Sequence, residues 1–191
     1  MIVKRKTVLN ILLFAFVLSF FVTPLGHFGK IFLNRLFAST PDIIVETSRK
    51  QIPSYNWKLK DPNWDFFNME RSKGKVVFIN FWASWMLPSE AELNGIQKLY
   101  DEFGARVDFY IITNEERPPV EEFMRLKKFT FPITYMIIGE PAPFDILEPP
   151  GSYIIDRDGY IVVRENDIAD WDSSKVKNLL TELIKRPPNG N

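Results

Sequence analysis

Phe81-Trp82-Ala83-Ser84-Trp85-Met86-Leu87-Pro88-Ser89, following directly on the run Val76-Val77-Phe78-Ile79-Asn80, decides the fold of this chain. Val76 to Trp82 is too continuously apolar for a strand with one wet face, so it predicts a central strand buried on both sides. After the corner, Leu93, Ile96, Leu99, Tyr100 and Phe103 recur at helical spacing until Gly104. That spacing predicts a helix from about Ser89 to Phe103 with the glycine as its stop.

The neighbouring segments repeat the alternation. Val107 to Thr113 reads as a second buried strand, and Pro119 opens a helix expected to turn Val120, Phe123, Met124 and Leu126 inward. Strand, helix, strand, helix in this order implies an α/β fold with a parallel core and right-handed crossovers. Upstream, Tyr55 to Leu59 and Trp64 to Phe67 form an irregular hairpin around Asp61-Pro62-Asn63. Downstream, Phe131 to Ile138 reads as a short strand-like insertion and Pro141 to Leu147 as one helical turn. Ser152 to Asp156 and Tyr160 to Arg164 flank Arg157-Asp158-Gly159, a hairpin signal. Val176, Leu179, Leu180, Leu183 and Ile184 mark a last amphipathic helix with Asp172 or Ser173 as N-cap, and residues 187–191 form a fraying tail.

Composition removes several function classes. Lys plus Arg equal Asp plus Glu at 24 each, so no overall positive field draws nucleic acid to the chain. The 191 residues contain no cysteine, which excludes disulfides, thiolate chemistry and cysteine-held metals. The single histidine, His27, lies outside the domain, so imidazole base catalysis within it is excluded. No cofactor or metal set is legible; Asp156 and Asp158 read as turn residues, and Glu115-Glu116 and Glu121-Glu122 as solvated helix-end charge.

The N-terminus carries a different signal. Lys4-Arg5-Lys6 precedes an uncharged run, Thr7 to Leu25, close to the ~20 residues that span a bilayer. Residues 8–25 are therefore expected to form a single-pass anchor, with a cytoplasmic N-terminus and the rest exported to the periplasmic or extracytoplasmic side. A cleaved signal peptide is the rival, although no small-x-small site follows promptly. Ile31, Phe32, Leu33, Leu36 and Phe37 continue the apolar character, as an interfacial helix or an extension of the anchor. The expected layout is anchor and juxtamembrane helix over 1–39, a tether over 40–54, and one domain over 55–186.

Lys75 to Trp85 and the later Pro150-Gly151-Ser152-Tyr153-Ile154-Ile155-Asp156-Arg157-Asp158-Gly159, with this order of elements, resemble the membrane-anchored TlpA/ResA-like thioredoxins. The resemblance covers about Tyr55 to Ile184 and implies a thioredoxin-like fold, a central mixed sheet flanked by helices. It also implies thiol-disulfide exchange at a Trp-Cys-x-Pro-Cys corner, where a helix N-terminus lowers the thiol pKa. Met86 and Ser89 occupy the two cysteine places, while Trp85 and Pro88 remain. A thioether has no proton to lose and cannot attack a disulfide, and a serine hydroxyl needs a base to become a nucleophile. Ser89 is thus expected as a helix-terminus hydroxyl.

Glu92 matches the acid that the family places near its cysteines to manage protons; on its own it reads as a first-turn glutamate favourable to the helix dipole, a relic of the site. Pro150 matches the family's cis-proline. The preceding residue in the family offers its N–H to a substrate peptide, but here it is Pro149, which has none. A local Pro-Pro turn without further meaning stays open beside that reading. Trp82, Trp85, Phe81 and Tyr153 are expected to cluster at the corner. Trp82, Trp85, Met86, Pro149 and Pro150 form the candidate contact face for an exported or membrane protein.

The leading expectation is a pseudoenzyme: a tethered, exported thioredoxin-like protein that binds a partner through its former active-site face. The alternatives are a redoxin still active by an unrecognised route and a purely structural envelope domain.

Overall fold

The computed structural model describes residues 5–22, the single positions 26, 29, 31 and 33, and residues 38–187. Helix α1 (Arg5–Val22) is followed, within the domain, by the antiparallel hairpin of β1 (Lys58–Lys60) and β2 (Phe66–Asn68). Next come β3 (Val76–Phe81), α2 (Leu87–Phe103), β4 (Val107–Thr113), α3 (Arg117–Lys127) and β5 (Ile133–Met136). The hairpin of β6 (Gly151–Ile155) and β7 (Ile161–Glu165) precedes the final helix, α4 (Ser174–Lys185).

The strands join in one sheet of order β2-β1-β5-β4-β3-β6-β7. Strands β3, β4 and β5 run parallel, while β6 and β1 flank them antiparallel, so the sheet is mixed. Every residue of β3 is buried, as its unbroken apolar run requires. Alternation along β3 sends Val76, Phe78 and Trp82 into a core shared with α2, α3 and α4. Val77, Ile79 and Phe81 enter a second core on the opposite face, closed by Ile52, Trp57, Met69 and Leu147. All three domain helices thus pack on one face.

Several expectations need correction. Helix α2 starts at Leu87 and α3 at Arg117, each two residues early, because proline is well tolerated in a first turn where its missing N–H has no intrahelical use. Leu126 is 60% exposed, because it lies off the stripe of Val120, Phe123 and Met124 that faces the core. The stretch expected as an insertion holds β5, an integral strand between β1 and β4.

Pro141 to Leu147 forms no helical turn. Pro141 and Pro143 supply no backbone donors, and the chain instead lays Phe144 against Trp57 and Tyr153, with ring centroids 5.5 and 5.4 Å away. Ser173 is the N-cap of α4, but its side chain makes no capping hydrogen bond.

The stretch expected as a tether is docked rather than loose. Ser39 bridges Ala169, Ile43 bridges Val163 and Gln51 bridges Tyr160, while the Ile44 N–H donates to Val162 O at 2.8 Å. These contacts cover the outer edge of β7, which would otherwise present unpaired backbone groups.

Apolar side chains of α1, Leu9, Phe14 and Phe16 among them, are exposed. Among the described residues no helix is long and apolar enough to cross a membrane. Residues 23–25 of the expected span lie outside the described set, as do His27, most of the 31–37 stretch and the tail beyond Pro187.

Burial separates two substitutions of similar chemistry. Ile79→Val, in a fully buried site, should lower stability by about 1 kcal/mol. Leu126→Ala, on the exposed side of α3, should stay within about 0.5 kcal/mol. Urea denaturation followed by tryptophan fluorescence measures both.

Candidate functional site

The corner begins where β3 ends. Trp82 N–H still donates to Ile112 O at 3.0 Å, continuing the parallel ladder by one residue. The chain then turns, with Met86 N–H donating to Ala83 O at 3.2 Å and Glu90 N–H donating to Met86 O at 3.1 Å. Met86 is therefore the N-cap of α2, and its extended backbone carries no capping side chain.

The five candidate contact residues separate. Trp85 is 74% exposed, Met86 and Pro149 are half-buried, and Pro150 is buried. Trp82 is 1% exposed and packs on Phe123 at 5.3 Å, so it offers no area to a partner in this conformation. The expected aromatic cluster divides for the same reason: Phe81 and Trp82 leave β3 on opposite faces, and Tyr153 meets Phe81 edge-on at 6.4 Å.

The Pro149–Pro150 peptide is cis, as the resemblance implied. It reaches the corner because Phe81 pairs with Gly151. A Cβ at Gly151 would lie 2.5 Å from Leu147 Cβ and 2.8 Å from Glu148 O, so this approach requires glycine. Beside the proline pair lies a groove of about 140 Å³ lined by Phe81, Met136, Ile146, Leu147 and Pro149.

Polar ties hold the corner. Ser89 is fully buried, and its hydroxyl accepts from Ala83 N–H at 3.4 Å. It ties the turn rather than capping the helix end. Glu115, expected as solvated charge, instead grips the corner. Its carboxylate accepts from both the N–H and the hydroxyl of Ser84 at 2.6 Å, and from the Thr113 hydroxyl at 3.2 Å. Glu121 and Glu122 do remain at the surface, paired with Arg117 and Arg125.

Glu92 is 3% exposed and points into the core behind the corner. Its carboxyl takes donors from three directions: Asn80 Nδ2 at 2.5 Å, Ala169 N–H at 3.2 Å and Trp171 Nε1 at 3.2 Å. Asn80 also donates to the Ser152 hydroxyl at 2.9 Å. Burial pushes the Glu92 carboxyl up to about 8 against these donors, which favour the charged form, with Glu165 adding a little more upward. The carboxyl is therefore mostly protonated at neutral pH.

The residues that sequence reasoning missed are Asn80, Ser84, Glu115 and Trp171. Asn80 gave a usable signal, because a polar side chain inside a fully buried strand needs a partner. Among the described residues no cluster of acids and histidine could hold a metal ion. With no thiol present, the corner has no group that can carry out thiol-disulfide exchange.

Comparison with known proteins agrees with this geometry. A profile of the AhpC/TSA family matches residues 49–164. The chain is 27% identical over 116 residues to the thioredoxin-like protein YneN of Bacillus subtilis (strain 168), covering 59% of this chain and 67% of that protein. It is 26% identical over 134 residues to the thiol-disulfide oxidoreductase ResA of Bacillus thuringiensis subsp. konkukian (strain 97-27), covering 69% and 74%. Among solved structures, a secreted thiol-disulfide isomerase from Corynebacterium glutamicum superposes with a TM-score of 0.61 at 15% identity, over 78% of this chain and 95% of that one. A DsbF homologue from Corynebacterium diphtheriae gives 0.58 at 14% identity, over 76% and 92%. These structural likenesses establish the thioredoxin-like fold.

Glu92 makes stability pH-dependent with a definite sign. The folded chain keeps a proton that the unfolded chain releases between its ordinary 4.5 and about 8. Stability from this group therefore falls as pH rises through that window, by up to about 1.4 kcal/mol per unit, and levels off above it. Glu92→Gln keeps the shape and the neutral charge, so its stability should decline less between pH 5 and pH 8 than that of the parent. Urea denaturation at both pH values measures the difference.

Proposed function

On the premise that this chain belongs to the AhpC/TSA family, we propose that it is a redox-inactive member that binds a partner protein through the corner where its thiols would stand. One observation carries the reading: the corner frame of β3, α2 and the cis Pro149–Pro150 peptide is complete, while Met86 and Ser89 fill the sulfur positions. Neither side chain can form or break a disulfide. Exposed Trp85 beside half-buried Met86 gives the apolar area that a contact needs.

The proposed setting is a membrane. Residues 8–25 anchor the chain, the N-terminus lies in the cytoplasm, and the domain faces the exported side. The exposed apolar side chains of α1 support this reading, since water would penalise them and lipid would not. Alkaline carbonate extraction of expressing cells should leave the full chain in the membrane pellet; release into the supernatant contradicts the anchor.

Redox inactivity has its own test. The parent protein should reduce insulin no faster than a protein-free control, and turnover above that control overturns the proposal. The double variant Met86→Cys/Ser89→Cys should reduce a small aromatic disulfide at least about tenfold faster than the parent, because the helix N-terminus favours a thiolate at position 86. Insulin should remain a poor substrate, since Pro149 has no N–H with which to dock a peptide backbone.

A further inference from the structure

Four loops meet at the corner end of the sheet. The C-terminal ends of parallel β3, β4 and β5 lie there, and antiparallel pairing brings the start of β6 and the end of β7 to the same side. The loops span residues 82–86, 114–116, 137–150 and 166–173, and none contains a lysine or arginine. Glu116, Glu140, Asp145, Glu148, Asp167 and Asp170 all lie in them. Because the whole chain balances 24 cations against 24 anions, this is a segregation of charge and not an acidic composition.

Three cations on the adjoining elements are engaged in ion pairs. Arg117 pairs with Glu121, Lys127 with Glu90, and Arg164 with Asp145. Within the acidic loops stand three exposed apolar side chains: Trp85 at 74%, Ile138 at 97% and Ile146 at 49%. Ile146 also lines the groove of about 140 Å³ beside Pro149, which is large enough for one aliphatic or aromatic side chain.

We propose that the corner face docks a cationic polypeptide segment, with one apolar side chain seated by Trp85 and the groove and flanking Lys or Arg meeting the acidic loops. This deepens, and rests on, the reading of the corner as a partner-binding face. Carboxylates in excess of cations around an apolar centre attract and orient a basic segment and repel acidic proteins, anionic lipid and nucleic acid. The charge also has a specific task here. Pro149 cannot donate to a partner backbone, so side-chain recognition takes the place of a strand-like ladder.

The test uses the full chain in lipid nanodiscs, panned against a phage-displayed library of random 12-residue peptides, with empty nanodiscs as control. Recovered peptides should be net positive around an aromatic or aliphatic residue. Their binding should weaken at least about tenfold between 50 and 500 mM salt, because exposed charges are screened. It should fall similarly in Glu116→Lys/Glu140→Lys/Glu148→Lys and vanish in Trp85→Ala.

Recovery of neutral or acidic peptides that still require Trp85, or of basic peptides indifferent to salt, overturns the cationic proposal and leaves partner binding intact. If no recovered peptide depends on Trp85, both the proposal and the reading beneath it fail. The salt series reads the charge contribution without any substitution, so a variant that folds poorly does not rescue the idea.

Discussion

One buried carboxyl organises the corner. Glu92 projects from α2 and collects donors from Asn80 on β3 and from Ala169 and Trp171 beyond β7. A single polar group thus ties the central strand, the corner helix and the loop that receives Ser39 from the N-terminal side. Burying a carboxyl in this way is costly, and the protein meets the cost by keeping it largely protonated, with donors on both oxygens. The neutral form also fits Asn80: its Oδ1 has no partner, and turning the amide over would give the Glu92 proton an acceptor in the position Nδ2 now holds.

The corner in front of Glu92 keeps its shape without sulfur. Ser84 is fixed by Glu115, Ala83 by Ser89, and Gly151 lets the cis proline approach. None of these features depends on a redox state. A surface so held presents Trp85, Ile146 and the adjoining groove in one arrangement, and a preorganised face loses less entropy on binding. Without thiols the disulfide chemistry is gone while the shape of the corner remains, which is why fold and function have to be argued separately here.

Much of this was legible in the chain itself. The unbroken apolar run gives β3 to within a residue, β4 follows its expected bounds, and Pro150 stands out by its motif. Glu92 carried a readable sign, since residues 92, 96, 99 and 103 fall on one helical stripe and the other three are core side chains. The docking of residues 39–52 was not readable, because it rests on isolated bridges to a strand over a hundred residues away and leaves no local period. Glu115 was equally hidden: a carboxylate after a strand looks solvated until the fold brings Ser84 beside it. Leu126 shows the limit of periodicity near a helix end, where one residue of phase decides between core and water.

The central claim is that the sulfur-free corner is a contact surface rather than an idle remnant. A photo-crosslinking amino acid placed at position 86 of the full chain in cells that express it tests this most directly, with the same substitution at Tyr160, away from the corner, as control. A discrete crosslinked protein species from position 86, absent at 160 and lost on Trp85→Ala, is the predicted result. No adduct at 86, or the same adducts from both positions, would contradict the account.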